Sequence, residues 1–180
     1  MRTNLLLSTK ERVEIVKETV FSPEPVTVSG IAKKTGISKS AVSGLLGLMV
    51  KEKIMGRKGL AFVPLQTPQA VAVRLLFNVS AFEPGLFSYP FVKAAGLYGS
   101  WAKGANTSES DVDIWVRVER AKTDELASMR RRIADAFPRA KVLFLDGEKI
   151  RSIREKNPLF YNSLAFGSIM LYGGVDELYK

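Results

Sequence analysis

Two carboxylates two residues apart, Asp111 and Asp113, are the side chains of this 180-residue sequence best placed to do chemistry. They follow Ser110 and lead into the apolar alternation Ile114, Val116 and Val118. In an extended strand alternate side chains share a face, so the pair stands side by side. Unpaired, the two charges repel and one pKa rises. A hard divalent cation removes that conflict, taking one or two carboxylates and filling its shell with substrate phosphates. Upstream, the apolar run Val92 to Tyr98 ends at Gly99-Ser100. There a residue without a side chain lets the backbone approach a phosphate, and Ser100 adds a hydroxyl. A short polar crossover containing Gly104 separates the two features. One strand would hold a metal while the loop before it holds a triphosphate.

That layout, Gly99, Ser100, Gly104, Ser110, Asp111 and Asp113 in order, resembles the signature of the polymerase β-type nucleotidyltransferase superfamily, and most nearly its minimal nucleotidyltransferases. The resemblance covers roughly Ser80 to Gly174. It implies Mg²⁺ or Mn²⁺ at catalytic Asp111 and Asp113. It also implies a nucleoside triphosphate, ATP, as substrate, with Gly99 and Ser100 at its β- and γ-phosphates and Lys103, Gly104 and Ser110 completing the nucleotide site. The family's third carboxylate is expected on the strand after the next helix, where it serves as general base or completes a second metal site. That stretch reads Ala140-Lys141-Val142-Leu143-Phe144-Leu145-Asp146, so Lys141 or Val142 stands where an acid is expected. Asp146 comes four or five residues late, some 13–16 Å at roughly 3.3 Å per residue. It reads as a turn residue, and Glu109 is the nearest alternative acid in sequence.

Composition narrows the function classes. Histidine and cysteine are both absent, which excludes a His-based triad, disulfides and thiolate zinc sites. No apolar run reaches the roughly 18 residues that span a membrane, and no signal-peptide layout is present; a cytoplasmic protein is the simplest reading. The net charge of +9 predicts polyanionic company. Residues 1–64 carry 11 Lys and Arg against 5 Asp and Glu, so the excess sits mainly in the N-terminal third.

The elements that must position these residues follow from periodicity and punctuation. Ser8 is expected to cap a first helix with Glu11 in the capping box, and Pro23 and Pro25 end it. Val26-Thr27-Val28 reads as a short strand, Ser29 as the cap of a second helix, and Ser38 as the cap of a third carrying Val42, Leu45, Leu46, Met49 and Val50. Ile54-Met55 and Leu60 to Val63 flank a basic hairpin tip, Gly56 to Gly59. This order resembles a winged helix-turn-helix of the MarR type. The resemblance implies DNA binding, with Lys39, Ser40 and Ser43 toward bases and Arg57 and Lys58 toward phosphates, and a homodimer. Gly44 and Gly47 stand on the polar face where base-reading side chains are common; two glycines three apart suit close approach of another helix or backbone. Thr67 and Pro68 start a linking helix with Val73, Leu76 and Phe77 as its buried side. Thr123 is expected to cap a helix reaching Ala136, with Arg130 to Arg132 as a basic patch.

The expected fold class is α+β: residues 1–65 a winged helix-turn-helix, 66–80 a linking helix, and 81–180 a transferase-type mixed sheet backed by helices. The resemblance implies transfer of a nucleoside monophosphate, AMP from ATP, to a protein or small-molecule hydroxyl. The acceptor is the toxin partner of a toxin–antitoxin pair or an antibiotic such as an aminoglycoside, and a DNA-binding domain favours the antitoxin. The alternative is a non-enzymatic regulator whose degenerate transferase domain only binds nucleotide.

Overall fold

The computed structural model describes residues 3–179, and these divide into two compact units. The first comprises residues up to Phe77 together with Gly104–Glu109; the second comprises Asn78–Lys103 and Ser110 onward. Residues 1, 2 and 180, at the ends of the expected domains, lie outside the described residues.

The first unit opens with α1 (Thr3–Leu6) and α2 (Lys10–Val20), followed by α3 (Val28–Thr35) and α4 (Lys39–Lys51). The hairpin β1 (Met55–Lys58) and β2 (Ala61–Pro64) and most of α5 (Pro68–Ser80) complete it. Caps explain the boundaries. Ser38 Oγ accepts from the Ala41 amide and Thr67 Oγ1 from the Ala70 amide, as expected. At α2 and α3 the caps differ from expectation. Thr9 replaces Ser8, accepting from the Arg12 amide, and Thr27 replaces Ser29, accepting from the Gly30 amide. Because Thr27 caps α3, the expected strand at Val26 to Val28 shrinks to a single bridge between Val26 and Phe62. The hairpin strand runs through Arg57 and Lys58, which pair with Phe62 and Ala61, so the turn lies at Gly59-Leu60 and not over the basic residues. Ile15, Val16, Val20, Val42, Leu46, Met49 and Ile54 form the buried centre. At about 25 cal/mol per Å² this burial is the main force holding so small a unit together.

The buried face of α5 corrects the sequence expectation. Val73 is buried, but Leu76 is 48% exposed, and Arg74 takes an interior place at 2% exposure. Its guanidinium donates to four oxygens: Val20 O at 2.8 Å, Leu65 O at 2.8 Å, Gly104 O at 2.9 Å and Gln66 Oε1 at 3.2 Å. Burial lowers its pKa from the usual arginine value. Next to it Gly104 has φ +59, and a Cβ there would sit 2.9 Å from Val71 O. The segment 104–109 is thus held close against α5.

The second unit is built on a four-stranded mixed sheet in the order β5 (Ala140–Leu145), β4 (Val112–Val118), β3 (Val92–Leu97), β6 (Ile169–Tyr172). β3 pairs antiparallel with both β4 and β6, while β4 and β5 are parallel. A short helix α6 (Gly99–Ala102) follows β3, α7 (Thr123–Ala136) connects β4 to β5, and α8 (Gly147–Lys156) and α9 (Pro158–Gly167) connect β5 to β6. Alternation along β4 sends Val112, Ile114, Val116 and Val118 to a core with Met129 and Ile133 of α7. Trp115 on the opposite face is fully buried with Ile150 and Leu164 of α8 and α9, and its Nε1 donates to Ser168 Oγ at 2.9 Å. Gly96 makes room for that indole, since a Cβ there would lie 2.8 Å from it. At α7, Lys122 precedes the first turn and its amide donates to Glu125, displacing the expected Thr123 cap by one residue. Arg130 and Arg132 of the basic patch lie over the rings of Phe144 and Tyr89. Among the described residues no helix is long and apolar enough to cross a membrane.

Replacing Arg74 with Met keeps the stem and removes the donors. Orphaned buried acceptors cost about 1–3 kcal/mol each before water reaches them, so Arg74→Met should lower unfolding free energy by about 3 kcal/mol in urea titrations. A loss below about 0.5 kcal/mol would show that the guanidinium is not a structural tie.

Candidate functional site

β3 ends at Leu97, Tyr98 continues the extended chain, and Gly99 turns it with φ +67. The turn is reserved for glycine twice over. A positive φ strains other residues, and a Cβ at this point would fall 2.5 Å from Asp113 Oδ2. The Asp113 carboxylate therefore lies directly against the bare Gly99 backbone. Ser100 follows in the first turn of α6, half-buried, and exposed Lys103 caps the end of that helix. Buried Asn78 fixes α6 by donating from Nδ2 to Trp101 O at 2.8 Å.

The strand pairing brings the second half of the site to the first. The Tyr98 amide donates to Asp113 O at 3.0 Å, which locks the exit of β3 to the start of β4. Asp111 stands just before β4 and Asp113 within it, both half-buried. In the parallel register Asp113 lies opposite Lys141 of β5. The Lys141 ammonium reaches diagonally to Asp111, with Nζ 2.6 Å from Oδ2. That hydrogen bond lowers the Asp111 pKa and raises that of Lys141. Asp113 moves the other way: burial raises its carboxyl pKa, the charge of Asp111 adds to the rise, and Lys141 opposes it. The Tyr98 phenol is raised as well, by burial and then by Asp113. The two acids thus occupy different electrostatic environments, one neutralised and one kept reluctant to ionise.

Gly99, Ser100, Asp111 and Asp113 fall together in the second unit, with Ser110 half-buried beside Asp111 in the chain. Gly104 falls in the first, where its bare Cα serves the packing against Val71. Asp146 has a structural duty: its Oδ1 caps α8 by accepting from the Lys149 amide at 2.7 Å. Among the described residues no third acid, Glu109 included, joins Asp111 and Asp113 in a group that could hold a metal. Two carboxylates, one already neutralised, fit one hard divalent cation that takes its remaining ligands from phosphates and water. They do not fit a site that needs a third acid. Sequence reading did not find Tyr98, Asn78 or Arg74. Arg74 leaves a trace, a charged residue within the arc of Ala70, Val73 and Phe77.

In the first unit Lys39, Ser40 and Ser43 are exposed on the first turns of α4, and Arg57 and Lys58 are exposed on β1. Ser43, Gly47 and Arg57 line an open groove of about 680 Å³ with Ser29, Leu60 and Phe62. Apart from the adjoining backbone of α4 itself, no atom of the described residues lies within 4 Å of a Cβ placed at Gly44 or Gly47, so among the described residues no other element makes the close approach that the two glycines suit.

The raised Asp113 has a stability consequence. Between the ordinary value of 3.8 and its raised native value, the folded state binds more protons than the unfolded state, so stability falls as pH rises through this window. In metal-free buffer at pH 7, Asp113→Asn should melt above wild type, and the difference should close as pH falls toward 3.8. Equal melting curves at pH 7 and pH 4 would show that Asp113 carries no such penalty.

Residues 84–172 match the family model described as polymerase beta, nucleotidyltransferase. No curated protein matches the chain significantly. Among solved structures, the chain is similar to a toxin–antitoxin with AMP-PNP at 16% identity and a TM-score of 0.38, over 63% of this chain and 79% of that one. It is also similar to the tri-AMPylated Shewanella oneidensis HEPN toxin in complex with MNT antitoxin, at 13% identity and a TM-score of 0.33, over 58% of this chain and 73% of that one. The matched stretch, residues 84–172, holds the Gly99 turn, the paired aspartates and the four strands of the mixed sheet, and in that stretch the chain is similar to polymerase beta nucleotidyltransferases.

Proposed function

We propose that the chain transfers a nucleoside monophosphate, AMP from ATP, to a hydroxyl group, with Mg²⁺ or Mn²⁺ held by Asp111 and Asp113. The observation that carries this reading is the contact of the Asp113 carboxylate with the bare Gly99 backbone, since it sets an acid suited to a metal ion against a turn of backbone that no side chain screens. A divalent ion there would supply positive charge to the α-phosphate as negative charge builds on its oxygens. Gly99 lets the chain approach the β- and γ-phosphates, and Ser100 offers its hydroxyl; Lys103 and Ser110 are the further nucleotide-loop residues. The acceptor oxygen bonds to the α-phosphorus as the bond from that phosphorus to the β-phosphate bridging oxygen breaks. Pyrophosphate leaves with that electron pair. The hydroxyl proton passes to water, because among the described residues no third acid stands with the pair and Lys141 is held protonated.

The acceptor in this reading is a protein, the toxin of a two-gene pair in the cytoplasm, in preference to a small molecule such as an aminoglycoside. The first unit supports that choice: its helix–helix–hairpin order and exposed Lys39, Ser40, Ser43, Arg57 and Lys58 suit a winged helix on DNA, used by a dimer that regulates its own operon. The engaged Lys141 and the missing third acid favour a second reading, a regulator that binds nucleotide without turnover.

Incubation with α-labelled ATP and Mg²⁺ in a lysate of the source cell separates the two. Label on a protein or small molecule with wild type, and at least 100-fold less with Asp111→Asn/Asp113→Asn, is the expected result for general electrostatic catalysis of this size. Metal-dependent binding without transfer would favour the regulator. For the DNA role, Arg57→Ala/Lys58→Ala should flatten the slope of log affinity against log salt by about 1.8, at roughly 0.9 per phosphate contact. An unchanged slope on duplex DNA would remove those residues from the interface.

A further inference from the structure

Lys141 is a cation inside the acidic site. It stands in parallel register with Asp113, its ammonium is 2.6 Å from Asp111 Oδ2, and it acts electrostatically on Asp113 and Tyr98 as well. The pair is not explained by stability. Lys141 is 65% and Asp111 44% exposed, and exposed pairs of this kind contribute little. Its position is fixed by β5, which pairs with β4 along six consecutive residues, so the ammonium is delivered to the carboxylates by the sheet and not by a mobile loop.

We propose that Lys141 is an internal counter-cation that limits the site to one divalent ion and makes tight binding of that ion depend on the triphosphate. This rests on the metal–nucleotide reading of Asp111 and Asp113 given above. The reasoning is charge balance. Two carboxylates and one ammonium carry a net charge of about −1, against −2 for the bare pair, so a divalent cation alone gains less on entering. A bound triphosphate brings several negative charges to the same three groups. The ammonium then has a second anion to contact, and Asp111 is released to share the metal. Metal and nucleotide should therefore bind with positive coupling, each raising the affinity of the other by the same factor. A second divalent ion has no acid to hold it, because the position opposite Asp113 is occupied by Lys141 and among the described residues no third acid joins the pair.

The test is Mn²⁺ binding, read as free Mn²⁺ by electron paramagnetic resonance, with and without the non-hydrolysable analogue AMP-PNP. The proteins are wild type, Lys141→Met, Lys141→Asp and Asp113→Asn, each checked for folding by circular dichroism. Wild type should bind one Mn²⁺ per chain, about tenfold more tightly with the analogue present, as expected for coupling of 1–3 kcal/mol. Lys141→Met should bind Mn²⁺ alone about tenfold more tightly than wild type and lose most of the coupling. Lys141→Asp should bind a second Mn²⁺. If wild type binds in an Asp113-dependent way but Lys141→Met matches it in affinity and coupling, the role of Lys141 is overturned while the metal–nucleotide reading stands. Two Mn²⁺ bound to wild type would overturn it equally. If wild type and Asp113→Asn both bind no Mn²⁺, with or without the analogue, both readings fall together.

Discussion

The parallel pairing of β4 with β5 is the constraint on which the acidic site of the second unit depends. Two carboxylates on neighbouring positions of one strand are unfavourable unless positive charge is supplied. The fold supplies it through pairing. β5 runs parallel to β4 in the register that puts Lys141 opposite Asp113 and within reach of Asp111. A parallel pair needs a crossover, and α7 provides it, packing Met129 and Ile133 on the face of β4 opposite the acids. Moving the register by one residue would send Lys141 to the other face and leave the acids uncompensated.

The same economy governs the other side of the site. Asp113 can lie against residue 99 only because that residue has no side chain, and the positive φ of Gly99 starts α6 at that point. Below it, Trp115 on the same face as Asp113 fills the space that Gly96 leaves in β3. Glycine thus appears twice along one strand exit, once to admit an indole and once to admit a carboxylate. Asp113 is supported by the largest buried side chain of its own strand, which fixes β4 against α8 and α9. The placement of the carboxylate thus comes from packing one layer beneath it.

The first unit depends on a different interior charge. Arg74 satisfies four oxygens from three separate stretches of chain, and one of them is Gly104 of the motif segment. A guanidinium is suited to this because its donors are fixed in a plane and remain charged when buried. The glycine at the fourth position beyond Ser100 is therefore explained by backbone packing against α5, whatever it adds toward a nucleotide.

Local sequence fixed much of this protein. The caps at Ser38 and Thr67, the apolar periods of α4 and α7 and the alternation of β4 all depend on neighbours within a few residues, and all were legible. Errors of one or two residues arose at Thr9, Thr27 and Lys122, where adjacent hydroxyl or acidic groups offer competing caps of nearly equal worth. Tertiary structure alone decided the rest. That Lys141 contacts Asp111, that Asp146 caps α8 and that Arg74 turns inward while Leu76 turns out are outcomes of strand register and helix rotation. Those are set by long-range packing, to which the local pattern of a single chain gives no direct access.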